Sequence, residues 1–299
     1  MPTTLPFVTY DVFTDTRYAG NPLAIVRDAD GLSDAQMQAV AAEFNLSETV
    51  FVRAPQNNAH TANVRIFTPG SELPFAGHPT VGTAVYLAER RFADNADMDA
   101  LIMLEEKIGL VRCAVTRVAG KAGFAEFVAP KLSEEAGAAA SDALIAKALG
   151  LEASQIGFGR HAPSIYSAGV SFAFVPLASL DALAKISPRS DLSQFGAHGV
   201  FFYARLPEES EHAFRARMFA PHIGIGEDPA TGSAAAAFAG VVARFEDLAG
   251  GVHKLPIEQG VEMGRPSLIA LTVDLDAGAL KEVRIGGHAV PVSEGTIRI

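Results

Sequence analysis

A single cysteine, no tryptophan and no run of about eighteen apolar residues set the first limits on this chain. Cys113 rules out an intrachain disulfide, and its strand-like surroundings, Leu110 to Val115, make it a buried structural thiol rather than a nucleophile. The eight histidines show no metal-ligand spacing, and neither His-Glu-x-x-His nor Gly-x-Ser-x-Gly occurs. Gly224-x-Gly226 lacks a third glycine because Pro229 stands in its place, and no phosphate-loop lysine follows Gly232. Lysine and arginine number 24 against 34 acidic residues, a net charge of −10 without any basic cluster, which argues against nucleic acid or an anionic membrane as partner. Residues 1–6 lack a basic region followed by an apolar core, so the expected location is cytoplasmic.

The composition, 49% hydrophobic and 19% charged, is that of a soluble globular protein, and 299 residues suit two domains. Residues 219–233 form a glycine-punctuated polar loop that opens into an alanine-rich helix from Ala234. Small residues at its start, Gly232, Ser233 and Ala234, leave the first helical N–H groups open to an anion at the positive end of the helix dipole. Asp228-Pro229 fits the helix boundary, since proline suits a first turn. The same pattern occurs about half a chain earlier: Arg65-Ile66-Phe67-Thr68-Pro69 leads through His78 to Gly82 as Arg217-Met218-Phe219-Ala220-Pro221 leads through Asp228 to Gly232. This repetition predicts a duplicated half whose two loop-to-helix corners face a cleft.

Alternation predicts strands at 8–13, 23–26, 46–52 and 60–67, then several between 101 and 127 broken at Gly109 and Gly120. A helix runs from a Ser33/Gln36 capping box through Met37, Val40 and Ala41 to Phe44, where Asn45 closes it. A second occupies 81–90. After a surface loop at 133–141, a helix at 142–149 ends at Gly150, and another lies near 181–185. Further strands are expected at 172–177, 199–206, 211–219, 267–273, 280–285 and 296–299. The fold class is α+β, with domains over 1–122 and 123–283 and the tail 284–299 packing back on the first.

Four residues carry alternatives. Glu48, near a strand start, is either a solvated edge charge that blocks pairing or a carboxylate acid/base. His78 titrates near physiological pH and serves to share protons or polarise a substrate, or caps its helix. Asp228 holds a substrate amine or orients His78, or is a helix N-cap. Asn21 is a turn residue or an extra contact.

Taken together, Asp11-Val12-Phe13-Thr14, Gly20-Asn21-Pro22, Ser47-Glu48-Thr49-Val50-Phe51, Phe75-Ala76-Gly77-His78-Pro79-Thr80-Val81-Gly82, residues 227–234 and residues 259–267 resemble the PhzF-like family of phenazine-biosynthesis isomerases, which shares the diaminopimelate epimerase fold. The resemblance implies two pseudo-symmetric halves, each a curled mixed sheet around a central helix, an active site in the cleft, and a homodimer. It also implies proton transfer between carbons of a small carboxylate, similar to isomerisation of a dihydro-hydroxyanthranilate, without cofactor or metal. By the same resemblance Glu48 is the proton carrier, and Ser47, Gly77, His78, Asp228, Gly232 and Ser233 contact the substrate, with Asn21 an extra contact. Epimerases of that fold use two thiols; here Ala76 and Pro229 occupy those corners, and one cysteine excludes that chemistry within a subunit. The competing expectation is a member that binds a small ligand or a protein without turnover.

Overall fold

The computed structural model describes residues 4–92, 96–187, 192–221 and 225–299, with only the backbone of Ile225. His222, Ile223 and Gly224 of the glycine-punctuated stretch therefore lie outside the described residues. Contacts divide the chain into two compact units, Met1–Val128 with Gly286–Ile299, and Ala129–Ile285.

In the first unit β1 (Thr4–Val12) pairs antiparallel with β2 (Asn21–Val26). Gly20 makes the approach possible: it sits at φ +66, and a Cβ there would lie 2.4 Å from the Val12 carbonyl oxygen. Helix α1 (Asp34–Phe44) has the reciprocal Ser33/Gln36 capping box and ends on Asn45 in the left-handed conformation. Its Met37, Val40 and Ala41 pack in one cluster with Phe51 and Phe67, and each large side chain so buried stabilises the unit by roughly 1.5–3 kcal/mol. Then come β3 (Glu48–Arg53), β4 (Ala62–Phe67), β5 (Glu72–Leu73), α2 (Gly77–Glu89), β6 (Met98–Glu106), β7 (Gly109–Arg117) and β8 (Gly123–Val128). β2 and β3 are parallel, as are β4 and β6, whereas β3/β4, β4/β5, β6/β7 and β7/β8 are antiparallel.

The second unit contains β9 (Glu134–Gly137), α3 (Asp142–Leu149), β10 (Ser164–Ser167), β11 (Ser171–Pro176), α4 (Leu180–Lys185), β12 (Gly199–Arg205), β13 (Phe214–Ala220), β14 (Ile225–Asp228), α5 (Gly232–Phe245), β15 (Gly251–Lys254), β16 (Ile257–Gln259) and β17 (Ser267–Asp276). Its pairing order repeats the first: β10/β11 antiparallel, β11/β12 parallel, β12/β13 and β13/β14 antiparallel, β13/β16 parallel, β16/β17 antiparallel. α5 follows β14 as α2 follows β5. The duplication read in the sequence is thus a duplication of topology.

β18 (Ala279–Arg298) begins in the second unit and ends in the first, where Ala289 to Arg298 run antiparallel to β1. Because β8 also pairs with β18, the first unit's mixed sheet closes on itself. Residues 77–88 of α2 are all buried, and so is α5 from Gly232 to Val242 except Ser233. Helices wrapped on every side need small residues at close contacts. A Cβ on Gly82 would fall 2.7 Å from Leu23 and Val12, and one on Gly240 would fall 2.4 Å from Tyr166. The α+β class, mostly sheet around few helices, is the expected one.

Three local expectations are corrected. α2 starts at Gly77 rather than at 81, because a proline at the third helical position, Pro79, removes an N–H that has no intrahelical partner. The loop at 133–141 contains β9, fully exposed and so without an alternating pattern to read. The strands at 280–285 and 296–299 are parts of one strand, β18. Gly286 and Gly287, which look like breaks, permit close approach instead: Cβ atoms there would meet the Ala125 carbonyl oxygen at 2.9 Å and the Phe13 ring at 2.4 Å.

Candidate active site

Glu48 is the first residue of β3 and pairs with Leu23 of β2. β3 lies between β2 and β4, so the edge-charge reading does not apply. The Glu48 side chain is 13% exposed, and its Oε2 lies 3.3 Å from His78 Nδ1. His78, the second residue of α2, is buried and hydrogen-bonds the Pro22 carbonyl, while its Nε2 is buried with no hydrogen-bond partner. Asn21 is completely buried at the start of β2, beside Pro22. Two strand starts and one helix start thus bring Pro22, Glu48 and His78 together.

Burial pushes the His78 imidazole down to about 3, against the Pro22 hydrogen bond, which favours the charged form. A carboxylate 3.3 Å away also favours the imidazolium, but a buried cation costs more than one such contact returns. His78 is therefore neutral at physiological pH, which corrects the expected titration there. Its contact with Glu48 is one between a neutral ring and a carboxyl group. Ala76 is the extended N-cap of α2 and makes no side-chain cap, so nothing from that residue covers the first helical N–H groups at Gly77 and His78. Ser47, half-buried, immediately precedes Glu48.

The second unit has its own helix corner. Asp228 ends β14 and Thr231 is the N-cap of α5, so Asp228 does not cap the helix and Pro229 precedes its first turn. Asp228 Oδ2 accepts the Thr231 hydroxyl at 2.6 Å. The fully buried Gln259 donates its Nε2 to the Asp228 carbonyl at 2.8 Å and accepts the Thr231 N–H at 3.2 Å. Gly232 and Ser233 open α5, Ser233 half-buried.

The structure also shifts the register of the repeat. Three residues separate β5 from α2 and three separate β14 from α5, so Gly77 matches Gly232, His78 matches Ser233 and Leu73 matches Asp228. The shared pattern is Glu-x-Pro-x-x-Gly, Glu72 to Gly77 and Glu227 to Gly232, five residues away from the alignment of His78 with Asp228. Thr231, not Pro229, stands where Ala76 does, and neither is a cysteine. Two arginines confirm this register. Arg65 bonds Glu72 at 2.8 Å and lies 5.1 Å over the Phe67 ring; Arg217 bonds Glu227 at 2.8 and 2.9 Å and lies 5.0 Å over the Phe219 ring. The repeated Arg-x-Phe-x-Pro is the sequence signal of these two arginines, whereas no local pattern marks the role of Gln259.

Cys113 is completely buried on β7, and burial pushes its thiol well up, away from the thiolate. Among the described residues no group of His, Cys, Asp and Glu side chains is arranged to hold a metal ion, and no helix is long and apolar enough to cross a membrane.

The family model for phenazine biosynthesis-like proteins matches residues 10–295. An isomerase of Mesorhizobium japonicum is 48% identical, with 98% of each chain covered. The trans-2,3-dihydro-3-hydroxyanthranilate isomerase of Pseudomonas fluorescens is 38% identical over 97% of this chain and 98% of that one. Among solved structures, the Bacillus anthracis phenazine biosynthesis protein of the PhzF family matches with a TM-score of 0.86 at 27% identity, covering 99% of this chain and all of the other. With sequence matched nearly end to end and the fold matched over the same length, the chain is an isomerase and belongs to the phenazine biosynthesis-like, or PhzF, family.

Proposed function

We propose that this isomerase moves a proton between carbons of a small carboxylate without cofactor or metal. The observation that carries the reading is Glu48: a carboxyl group on an interior strand, 3.3 Å from a buried histidine. Proton transfer at carbon needs one group that takes the proton as a base and returns it as an acid, and a partly buried carboxyl group does both. His78, held neutral, acts as a hydrogen-bond partner, and its unpartnered Nε2 is an acceptor for a substrate hydroxyl or amine. The helix start at Gly77, and that at Gly232 and Ser233, offer N–H groups to carboxylates, each terminus worth about 0.3–2 kcal/mol. Asp228 takes the substrate amine, and Ser47 and Asn21 add polar contacts. A homodimer in the cytoplasm completes the proposal.

The first compound to test is trans-2,3-dihydro-3-hydroxyanthranilate, since relatives carry its name. Purified protein, treated with EDTA and given no cofactor, is expected to convert it, or a related cyclic amino acid from a carboxylate panel, to an isomer of unchanged mass. Conversion that needs an added metal or cofactor would overturn the proposal.

A further inference from the structure

The repeat places two buried side chains in one position, and they differ by a single group. Glu105 of β6 pairs with Asn63 of β4, and Glu258 of β16 pairs with Arg215 of β13. Each of these glutamates holds a histidine, His60 at 2.7 Å and His212 at 2.6 Å, which fixes the register of the two strands. The next residues are Glu106 and Gln259, and both are buried. Gln259 braces the start of α5 through Asp228 and Thr231. Glu106 reaches the start of α2: its Oε1 lies 2.7 Å from the Thr80 hydroxyl, which in turn lies 2.8 Å from the carbonyl of Ala76, the N-cap residue before Gly77 and His78.

The surroundings of its second oxygen decide the form of Glu106. Thr80 has one hydroxyl proton and faces two oxygens, a carbonyl that can only accept and a carboxyl that can carry its own proton. The Ala76 carbonyl also accepts the Thr80 N–H at 3.2 Å, so the Thr80 hydroxyl can bond Glu106 in either form of the carboxyl group. The second carboxyl oxygen, Oε2, is buried with no hydrogen-bond partner, a small cost for a neutral acid and a large one for an anion. We propose that Glu106 works as a neutral carboxylic acid, a positioning residue that locks the helix corner carrying Gly77 and His78, as the amide of Gln259 locks the corner of the second unit. Burial accordingly raises the Glu106 carboxyl to about 8. α2 presents Thr80 to it, and β7 presents Cys113, whose thiol burial and Glu106 both push up out of this range. Loss of the Glu106 proton leaves a buried anion with one oxygen unpartnered, so the corner rearranges as pH rises. The inference rests on the proposed site, since the corner matters for turnover only if His78 meets substrate.

The test reads the corner without any substrate. In protein labelled with ¹³C and ¹⁵N at histidine, the His78 ring signals, assigned by their loss in His78→Gln, should shift with a midpoint near pH 8. Glu106→Gln, whose amide can still donate to Thr80, should keep the low-pH signals and stay flat to pH 10. Glu106→Leu should show displaced signals at every pH. A wild-type His78 flat from pH 7 to 10, or a midpoint that survives in Glu106→Gln, overturns the proposal. Gln259→Glu is the reciprocal change and should introduce a pH-dependent loosening of α5, read by amide exchange at Gly232 and Ser233; unchanged exchange from pH 6 to 9 counts against the equivalence. Absence of turnover on any compound would sink the functional reading and leave these outcomes intact.

Discussion

In the first unit the strand that leads up to the helix corner begins with Glu48, which pairs with Leu23; in the second the matching strand begins with Gly199, which pairs with Phe172. A Cβ on Gly199 would lie 3.1 Å from the Phe172 ring and 3.3 Å from Met218 Sδ, so any side chain there has to displace those neighbours by a few tenths of an ångström. His78 likewise faces Ser233 in the equivalence, and Glu106 faces Gln259. Duplication supplied one scaffold twice, with the same arginine, the same glutamate and the same helix start. At its corner the first unit places Glu48, His78 and Glu106, whereas the second places the Gln259 amide, the Thr231 hydroxyl and the Asp228 carboxylate. Chemistry and anchoring are therefore separable by mutation.

The largest stability contrast is expected at the arginines. Arg217, 9% exposed, makes two bonds to Glu227 and bonds three backbone carbonyls, of Leu183, Ala184 and Ile186. Removing one partner of such a buried pair costs roughly 3–5 kcal/mol, so Arg217→Ala should lower the urea midpoint strongly. Arg65 shares its charge between Glu72 and Asp34, the latter 82% exposed, and Arg65→Ala should cost about half as much or less. Equal losses would break the contrast. Next in size is Gln259→Leu, which removes its bonds to the Asp228 carbonyl and the Thr231 N–H and should cost roughly 1–3 kcal/mol. Glu106→Leu at pH 6 should cost only about 1 kcal/mol, since it removes one neutral hydrogen bond and one unpartnered oxygen.

The pH dependence has opposite signs at two residues of the same corner. Glu106 rises from 4.5 to about 8 on folding, so its native proton stabilises fully below 4.5 and the contribution is lost as pH rises through 8. His78 falls from 6.5 to about 3, so below 6.5 the unfolded chain takes up a proton that the native state refuses, and stability falls as pH drops toward 3. Each slope is about 1.4 kcal/mol per pH unit within its window. Urea midpoints across pH 4 to 9 should flatten on the alkaline side in Glu106→Gln and on the acid side in His78→Gln.

The duplication was legible because Arg-x-Phe-x-Pro recurs in strands long enough to show a pattern. Its register was not, because β5 has two residues and β14 four, too few for alternation, and glycine spacing alone does not place a helix start. The capping boundaries of α1 and the Gly150 end of α3 were read correctly, since a few local residues determine them. Glu48 and His78 were singled out as candidates, and the structure places them in contact. Their protonation was not legible: it depends on burial by strands distant in sequence, which also hid Glu106 and Gln259.

In the proposed mechanism Glu48 carries the proton. The direct measurement is turnover of trans-2,3-dihydro-3-hydroxyanthranilate, or of whichever panel compound the wild type converts, by Glu48→Gln and by Ser233→Ala. Gln keeps the size of Glu48 and removes its acid/base capacity, so the rate should fall by about 10²-fold or more with binding retained. Ser233→Ala should chiefly raise KM. A Glu48→Gln enzyme within a few-fold of the wild-type rate would contradict the account and move the base elsewhere.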